Sequence, residues 1–305
     1  MTRCTIQPKN PPVRSLAVVL LLSSTAFAGA PIISGTADSG DPAVVQIYAY
    51  PPDKGTLYTC TGIVIAPKEI LTAAHCVDHD STYIYGVFFG PDANAYNGQI
   101  ALVESHLKFA ASVHVHPQYQ TQSPFLADIG VLNLVDATDV TPLAISRTMP
   151  TDALVNAPVR IIGYGETTAG TIQNAKFAAD TIVVGLDNGA DTILVGDAHR
   201  NCVGDSGGPV LQNNVVLGVD SYSTAGCGDP AHFRRTDYYA DFIDSYSGAN
   251  SGSGSGSGSD MGSGGSNTQP GGGDDGGGGC STTGSGSALM AGVVAALLVR
   301  RRRYV

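Results

Sequence analysis

The sequence predicts an all-β domain in the central part of the chain, about residues 32–247. Val, Ile, Thr and Tyr recur there in short runs such as 44–48 and 84–88, and these residue types favour strands. The chain contains 39 Gly and no Trp. Two short apolar runs flank Asn213-Asn214, which is the pattern of a β-hairpin. Helix is therefore expected only as a minor element.

The strand pattern continues along the whole central part. Short apolar runs are separated by Gly, Pro, Asn and Asp, which favour turns. Near the end, apolar positions at helical spacing predict one short helix. The predicted strands are 44–48, 62–66, 84–88, 113–116, 161–165, 181–184, 192–195 and the hairpin 210–219, and the predicted helix is 237–243.

The charge of the central part argues against a nucleic-acid partner. The chain has 16 Lys/Arg and 26 Asp/Glu, a formal charge of −10. Seven of the basic residues lie in the terminal segments, so residues 32–247 retain 9 basic and 23 acidic side chains. Such a surface repels nucleic acid and anionic membranes.

Residues 1–28 read as an export signal. Basic residues are followed by an apolar run over 16–22 and by Ala26-Phe27-Ala28, a small-x-small cleavage site. The run is too short to span a bilayer, so removal is expected. Residues 29–31 then form a short pro-segment, and the mature protein enters an oxidising compartment where cysteines pair.

A glycine-rich turn around Ser206 is the strongest chemical signal. Gly204, Gly207 and Gly208 permit the tight turn that exposes a nucleophilic hydroxyl. The same pattern matches the nucleophile elbow of α/β-hydrolases, and it also fits a plain turn with a solvated serine. The elbow requires a helix directly after the serine, but Pro209 and the predicted hairpin follow.

Two partners for the serine lie upstream. His75 follows the apolar segment 71–74, and Asp128 precedes the apolar run 129–132. The order His, Asp, Ser differs from the Ser, acid, His order of α/β-hydrolases.

With these motifs in this order, the sequence resembles the trypsin/chymotrypsin family of serine proteases, and specifically its secreted bacterial members. The resemblance covers about residues 32–247. It implies two antiparallel six-stranded β-barrels with the active site between them, and a short C-terminal helix. Barrel one would occupy about 32–140 and barrel two about 141–247.

The resemblance also implies the roles of the site residues. His75 would take the proton from Ser206, and Asp128 would orient the imidazole. The backbone N–H groups of Gly204 and Ser206 would form the oxyanion hole. No metal and no organic cofactor are expected.

Two disulfides follow from the same resemblance. Cys60 and Cys76 match the bridge that closes the histidine loop of the family. Cys202 and Cys227 match the bridge that braces its specificity pocket. Cys4 would leave with the signal peptide.

The segment that begins at Ile32 resembles the mature N-terminus of the family. There the new α-amino group forms a buried ion pair with the residue that matches Asp205, which activates the enzyme. Pro31 departs from the pattern, because a trypsin-like activating enzyme requires Arg or Lys before the cut. The alternative is that residues 32–35 begin an ordinary first strand.

Four residues match the specificity pocket of the family. Arg200, six positions before the nucleophile, would lie at the base of the pocket. Ser221, Ser223 and Ala231 would line the walls. A cation at the base argues against substrates with Arg or Lys before the scissile bond.

The charge of Arg200 leaves two alternatives. A guanidinium in a partly dry pocket requires an anionic partner. A substrate Asp or Glu would supply one. Alternatively, Asp220 or Asp229 neutralises Arg200, and the pocket then prefers small or neutral side chains. The two available carboxylates favour the second alternative.

The C-terminal part has a different composition. Residues 248–279 are rich in Gly and Ser, which is typical of a flexible linker. Residues 280–305 contain Cys280, an apolar run over 288–299 and four arginines. This segment resembles the MYXO-CTERM type of bacterial sorting signal, and the alternative is a plain tail anchor.

The sequence thus predicts a serine endopeptidase, made as a zymogen, that is secreted or anchored at the surface of a bacterium. Its expected partners are protein or peptide substrates and a C-terminal sorting machinery, and the protein itself is expected to be a monomer. The alternative is a surface-displayed pseudoprotease that acts as a binding module.

Overall fold

The computed structural model describes most of the central part of the chain. The described residues are 32–52, 57–96, 105–166, 174–187, 191–196, 199–224 and 227–247, without the side chains of Thr224 and Asp229. The predicted segments 1–28, 29–31, 248–279 and 280–305 lie outside these ranges. Within them, none of the helices has the length and hydrophobicity needed to cross a bilayer.

The described chain contains fourteen strands and one α-helix. They are β1 Thr36–Ala37, β2 Val44–Tyr50, β3 Tyr58–Ala66, β4 Glu69–Thr72, β5 Ile84–Phe88, β6 Leu107–Val115, β7 Gly130–Leu134, β8 Ala144–Ile145, β9 Pro158–Gly163, β10 Phe177–Asp187, β11 Thr192–Val195, β12 Pro209–Gln212, β13 Val215–Thr224, β14 Gly228–Arg235 and α1 Ala240–Ser245. Three short 3₁₀ turns occur at Ala74–Cys76, Ala93–Tyr96 and Asp152–Leu154.

The first barrel is closed by six antiparallel strands in the order β2-β3-β4-β7-β6-β5. Its strands are rich in β-branched residues that pack well on a pleated surface. Ile47, Ile63, Leu71 and Val131 are fully buried in its core. β4 leads directly into the 3₁₀ turn that carries His75, so the barrel supplies a rigid base for that side chain.

The second barrel has the order β9-β10-β11-β14-β13-β12 and closes because β9 pairs with both β10 and β12. Ile161, Val183, Val210 and Phe233 lie in its core. The all-β prediction of two antiparallel six-stranded barrels and one short helix is confirmed.

One strand lies in a different barrel from the one its sequence position indicates. β1, within the range expected for barrel one, pairs with β10 of the second barrel. The N-terminal segment therefore crosses to the second barrel before β2 begins the first.

The predicted hairpin is formed by β12 and β13. Asn213 and Asn214, which join the two strands, have φ angles of 52° and 61°. Two successive residues with positive φ are typical of a type I′ turn, which Asn tolerates better than most residues. Ser206, the predicted nucleophile, lies three residues before this hairpin. The turn that carries it, residues 203–207, is called the nucleophile turn, and the hairpin follows it directly.

The C-terminal helix packs on the outside of the first barrel. The ring of His114 on β6 stacks on Tyr246, with centroids 3.9 Å apart, and His116 meets the edge of Phe242 at 4.8 Å. These contacts tie the end of the domain to barrel one.

Candidate active site

His75 and Asp128 form a closely bonded pair. The imidazole Nδ1 lies 2.8 Å from Asp128 Oδ2, and the His75 backbone N–H donates to Oδ1 at 2.9 Å. The carboxylate is fully buried, whereas the imidazole is 32% exposed. A carboxylate at Nδ1 favours the tautomer with its proton on that nitrogen, which leaves Nε2 as a proton acceptor.

Ser221 makes a third hydrogen bond to the same carboxylate. Its buried hydroxyl donates to Asp128 Oδ2 at 2.6 Å. Sequence analysis placed Ser221 among the residues that line the specificity pocket. Its hydroxyl is bonded to the aspartate and helps to compensate the cost of burying that charge, while its place in the pocket stays a prediction.

The turn around Ser206 depends on glycine. Gly204 and Gly207 have φ angles of 97° and 85°, which L-residues with a Cβ rarely adopt. A Cβ on Gly207 would also lie 2.1 Å from Thr72 Oγ1 and 2.2 Å from the carbonyl oxygen of Thr61. The close packing of this turn on the first barrel is therefore possible only with glycine at 207.

Two hydrogen bonds hold the nucleophile turn against the strand β3. The backbone N–H of Thr61 donates to the carbonyl oxygen of Ser206 at 2.8 Å, and the hydroxyl of Thr61 donates to that of Gly204 at 2.9 Å. The sulfur of Cys76, next to His75, lies 3.7 Å from the same Ser206 oxygen. The structure thus brings Ser206 to the histidine turn.

The Ser206 hydroxyl and the His75 ring are not hydrogen-bonded in the described chain. Such contacts are often long before substrate binds and shorten in the complex. Ser206 is half-buried and His75 is partly exposed, so both are accessible to a substrate.

Among residues 204–208, two backbone N–H groups have no acceptor in the described part of the chain. Those of Asp205, Gly207 and Gly208 donate to carbonyl oxygens at 2.8 to 3.0 Å. Those of Gly204 and Ser206 have no acceptor among the described residues. These two are the groups that sequence analysis assigned to the oxyanion hole, and free donors of this kind suit a developing oxyanion.

Asp205 is a buried carboxylate that faces the N-terminal segment. It is 0% exposed and accepts hydrogen bonds from the N–H groups of Gly165 at 2.8 Å and Cys202 at 2.9 Å. The backbone N–H of the equally buried Ile32 bonds to it as well. Burial raises the pKa of Asp205 to about 7, against the lowering effect of these bonds. The Ile32 nitrogen thus already lies at the carboxylate.

Both expected disulfides are present. Cys60 on β3 is bonded to Cys76 in the histidine turn, and Cys202 before the nucleophile is bonded to Cys227. The first bridge closes a segment of 16 residues and limits the movement of the His75 turn. The second joins the nucleophile turn to the start of β14.

The residues expected at the specificity pocket lie around Asn201. The hydroxyl of Ser223 donates to the Asn201 carbonyl oxygen at 3.2 Å, and Ser223 is paired with the buried Ala231 across β13 and β14. Arg200 precedes Asn201, and its carbonyl oxygen accepts from the N–H of Ile33 at 2.8 Å.

Of the two counter-ions expected for Arg200, Asp220 forms no ion pair with it, and pairing with Asp229 stays a prediction. The Arg200 guanidinium has no ion pair with another described side chain, and the side chain of Asp229 lies outside the description. Arg200 is half-buried, and its Nε is buried without a partner. Asp220 is wholly buried and faces the amide of Asn201. Burial raises the pKa of Asp220 well above its ordinary value, and two neighbouring carboxylates raise it further.

Three residues that shape the site were not predicted from the sequence. Thr61 bonds to the nucleophile turn, and the Thr72 hydroxyl donates to the Thr61 carbonyl oxygen. For Thr61 the available signal was a hydroxyl next to Cys60 in a strand with an apolar second half. Asn201 carried no sequence signal, because its importance depends on which residues surround it after folding.

Comparison with known proteins agrees with this geometry. The family described as Trypsin matches residues 35–243. Trypsin of Saccharopolyspora erythraea is 27% identical over 202 residues, which are 60% of this chain and 85% of that protein. Collagenase of Hypoderma lineatum is 31% identical over 211 residues, which are 62% and 76% of the two chains.

Solved structures show the same fold. Human heparin binding protein superposes with a TM-score of 0.58 at 19% identity, covering 74% of this chain and all of that one. Neuropsin, a serine protease of mouse brain, gives a TM-score of 0.56 at 20% identity, covering 69% and 97%. With a family match over most of its described residues, this chain belongs to the trypsin family of serine proteases.

Proposed function

We propose that this protein is a serine endopeptidase that uses Ser206, His75 and Asp128 and forms an acyl-enzyme intermediate. The observation that carries the proposal is that the His75–Asp128 pair lies beside a glycine-rich turn, in which the N–H groups of Gly204 and Ser206 have no acceptor among the described residues. A non-catalytic turn has no need for two unbonded donors beside a serine hydroxyl.

The reaction follows from these positions. Ser206 Oγ attacks the carbonyl carbon of the peptide bond, and its proton passes to His75 Nε2. The N–H groups of Gly204 and Ser206 bind the resulting oxyanion. His75 returns the proton to the leaving amine as the C–N bond breaks, which leaves an ester on Ser206. A water molecule then gives a proton to His75 and hydrolyses the ester.

Activation by the N-terminus is part of the proposal. A cut between Pro31 and Ile32 would convert the Ile32 amide nitrogen into an α-ammonium group at the position where it already contacts Asp205. A buried carboxylate is stabilised far better by a cation than by an amide donor. The pair would then hold the turn that carries the oxyanion donors.

Covalent labelling tests the catalytic assignment. A fluorophosphonate reacts with a serine only when the hydroxyl is activated and the oxyanion site is formed. We expect stoichiometric labelling of the wild-type protein with Ile32 at its N-terminus, and none of Ser206→Ala. Absence of labelling in the correctly processed wild type would instead favour the non-catalytic binding module.

We further propose that the protein is exported and is retained at the cell surface through residues 280–305. The support is sequence composition alone, since the apolar run and arginine cluster lie outside the described residues. Deletion of 280–305 is expected to release active enzyme into the medium, measured as the activity ratio of medium to cells. Cell-bound activity after the deletion would assign retention to another part of the chain.

A further inference from the structure

Four buried polar side-chain atoms next to the nucleophile turn have no hydrogen-bond partner in good geometry among the described residues, although the Asn201 amide faces the Asp220 carboxyl. They are Arg200 Nε, Asn201 Nδ2, Asn201 Oδ1 and Asp220 Oδ1. Asn201 is 1% exposed and Asp220 is 2% exposed. Side-chain polar atoms buried this deeply are nearly always bonded, and a group of exceptions calls for a missing partner. We refer to Arg200, Asn201 and Asp220 as the polar cluster.

The polar cluster adjoins the reacting serine. The backbone N–H of Asp220 donates to Gly208 at 2.8 Å, and its carbonyl oxygen accepts from Gly207 at 2.8 Å. On the other side, Asn201 precedes the disulfide-bonded Cys202, and its carbonyl oxygen is held by Ser223. The unbonded atoms therefore belong to the segments that flank the nucleophile turn and that match the specificity pocket.

The unbonded atoms include both donors and acceptors. Arg200 Nε and Asn201 Nδ2 donate and Asn201 Oδ1 accepts, while the Asp220 carboxyl, whose burial favours the protonated form, can both donate and accept. A primary amide offers a carbonyl oxygen with two lone pairs and a nitrogen with two hydrogens, so it can satisfy both kinds of group. A carboxylate only accepts, an ammonium or guanidinium only donates, and an alkyl side chain does neither.

The local charge also favours a neutral ligand over an acidic one. Arg200 is half-buried, so solvent screens part of its charge. Asp220 lies near two further buried carboxylates, Asp205 and Asp128. A substrate carboxylate bound to the cluster would add a further acid beside Asp220, with the partly solvated Arg200 as the cation of the cluster itself.

We propose that Asn201 and Asp220, together with Arg200, determine the specificity of the enzyme and select glutamine as the residue before the scissile bond. The inference rests on the proposed peptidase activity and names its substrate class. Glutamine places its amide at the end of a long side chain, which suits the pocket base where the resemblance to the family places Arg200. Asparagine is the same group on a shorter arm and ranks second.

The test uses peptides that differ only in the residue before the scissile bond: Gln, Asn, Glu, Lys or Ala. The active-site concentration is first determined with a fluorophosphonate, and kcat/KM is then measured for each peptide. Gln and Glu have nearly the same shape, so their ratio isolates the amide nitrogen. We expect kcat/KM for Gln to exceed that for Glu by at least about tenfold, because an unmatched buried group is strongly rejected.

A substitution within the cluster provides a second measurement. Asn201→Asp replaces the amide NH₂ with an oxygen of the same size and should reduce the Gln/Glu ratio toward one. Asn213→Asp makes the same chemical change in the exposed hairpin turn and should keep the wild-type ratio. If Asn201→Asp does not fold, competitive inhibition of the wild type by product peptides ending in Gln or Glu gives the same comparison, with Gln binding tighter.

The outcomes separate this inference from the proposed function. A protein that labels fully but prefers Glu, Lys or Ala, or does not distinguish Gln from Glu, retains the proposed function and overturns the inference. An unchanged Gln/Glu ratio in folded Asn201→Asp also overturns it. A processed wild type that does not label removes the proposed function, and the inference with it.

Discussion

Replacement of Ser206 by Ala is expected to lower kcat for peptide hydrolysis by about 10⁶-fold, and His75→Ala by a similar factor. Without Ser206 there is no nucleophile, and without His75 no group accepts its proton. Because the two act as a unit, the double variant should be no slower than either single variant. Rates of purified variants on one peptide, with an active-site titrated wild type as reference, measure the effect.

The fold should survive both substitutions. Ser206 is half-buried and His75 is partly exposed, so neither change opens a core cavity. The melting temperature and circular dichroism are expected to match the wild type. Ser112→Ala, at an exposed position on β6, should retain full activity as the matched control. Near-normal turnover in folded Ser206→Ala would overturn the catalytic assignment.

The substitution Asp205→Asn should reduce kcat/KM of the processed protein by about 10² to 10³-fold. The amide keeps the shape of the carboxylate but cannot neutralise the α-ammonium group of Ile32. Loss of one partner from a buried ion pair costs about 3–5 kcal/mol. We expect the N-terminus to leave its site and the N–H groups of Gly204 and Ser206 to lose their positions.

The same substitution at an exposed aspartate is the control for Asp205→Asn. Asp136→Asn, on a solvent-exposed residue after β7, should retain wild-type kcat/KM. Fluorophosphonate labelling of Asp205→Asn should slow in parallel with hydrolysis, because both require the oxyanion donors. Wild-type kinetics in Asp205→Asn would show that activation does not use the Ile32 amine.

The Asp205 carboxyl predicts that the free energy of unfolding depends differently on pH in the unprocessed and the processed chain. In the unprocessed chain the pKa of Asp205 is raised to about 7 by burial. A group with a raised folded-state pKa contributes stability that is fully present below its unfolded pKa and is lost as the pH rises through the folded pKa. The unprocessed chain should therefore lose up to roughly 4 kcal/mol of unfolding free energy between about pH 4 and pH 7.

Cleavage before Ile32 should remove most of this loss of unfolding free energy. The α-ammonium group of Ile32 keeps Asp205 ionised, so the stability that Asp205 contributes no longer falls as the pH rises from about 4 to about 7. Asp220 contributes to the pH dependence of both forms, and its pKa also depends on the charge of Asp205. Urea unfolding of the two forms at pH 4.5 and pH 7.5 measures the difference, and equal pH dependence would count against the ion pair.

Several features could be predicted from the sequence because short segments determine them. The hairpin turn requires two residues that tolerate positive φ, and Asn213-Asn214 provides them. The Ser206 turn requires glycine at 204 and 207 for the same reason. The resemblance to a family, carried by His75, Asp128 and Ser206 in order, supplied the two barrels that no local pattern specifies.

Contacts between distant strands were decided only by the tertiary structure. Thr36 of β1 contacts Ala178, 142 positions away, so its barrel could not be read from neighbouring residues. Ser221 reaches Asp128 across 93 positions. A side chain finds its hydrogen-bond partner by proximity after folding, and sequence spacing does not encode that proximity.

The residues expected at the specificity pocket show most clearly what the sequence predicts and what only the tertiary structure decides. The sequence identified Arg200 and offered Asp220 or Asp229 as its counter-ion. A register irregularity between Asp220 and Tyr222 in the pairing of β13 with β14 interrupts the simple alternation of faces. The fold then places the Ser221 hydroxyl on Asp128 and leaves Asp220 buried without an ion pair to Arg200. The sequence by itself determined which polar residues are present, and only the packing of the two barrels decided which of them are bonded to each other and which have no partner among the described residues.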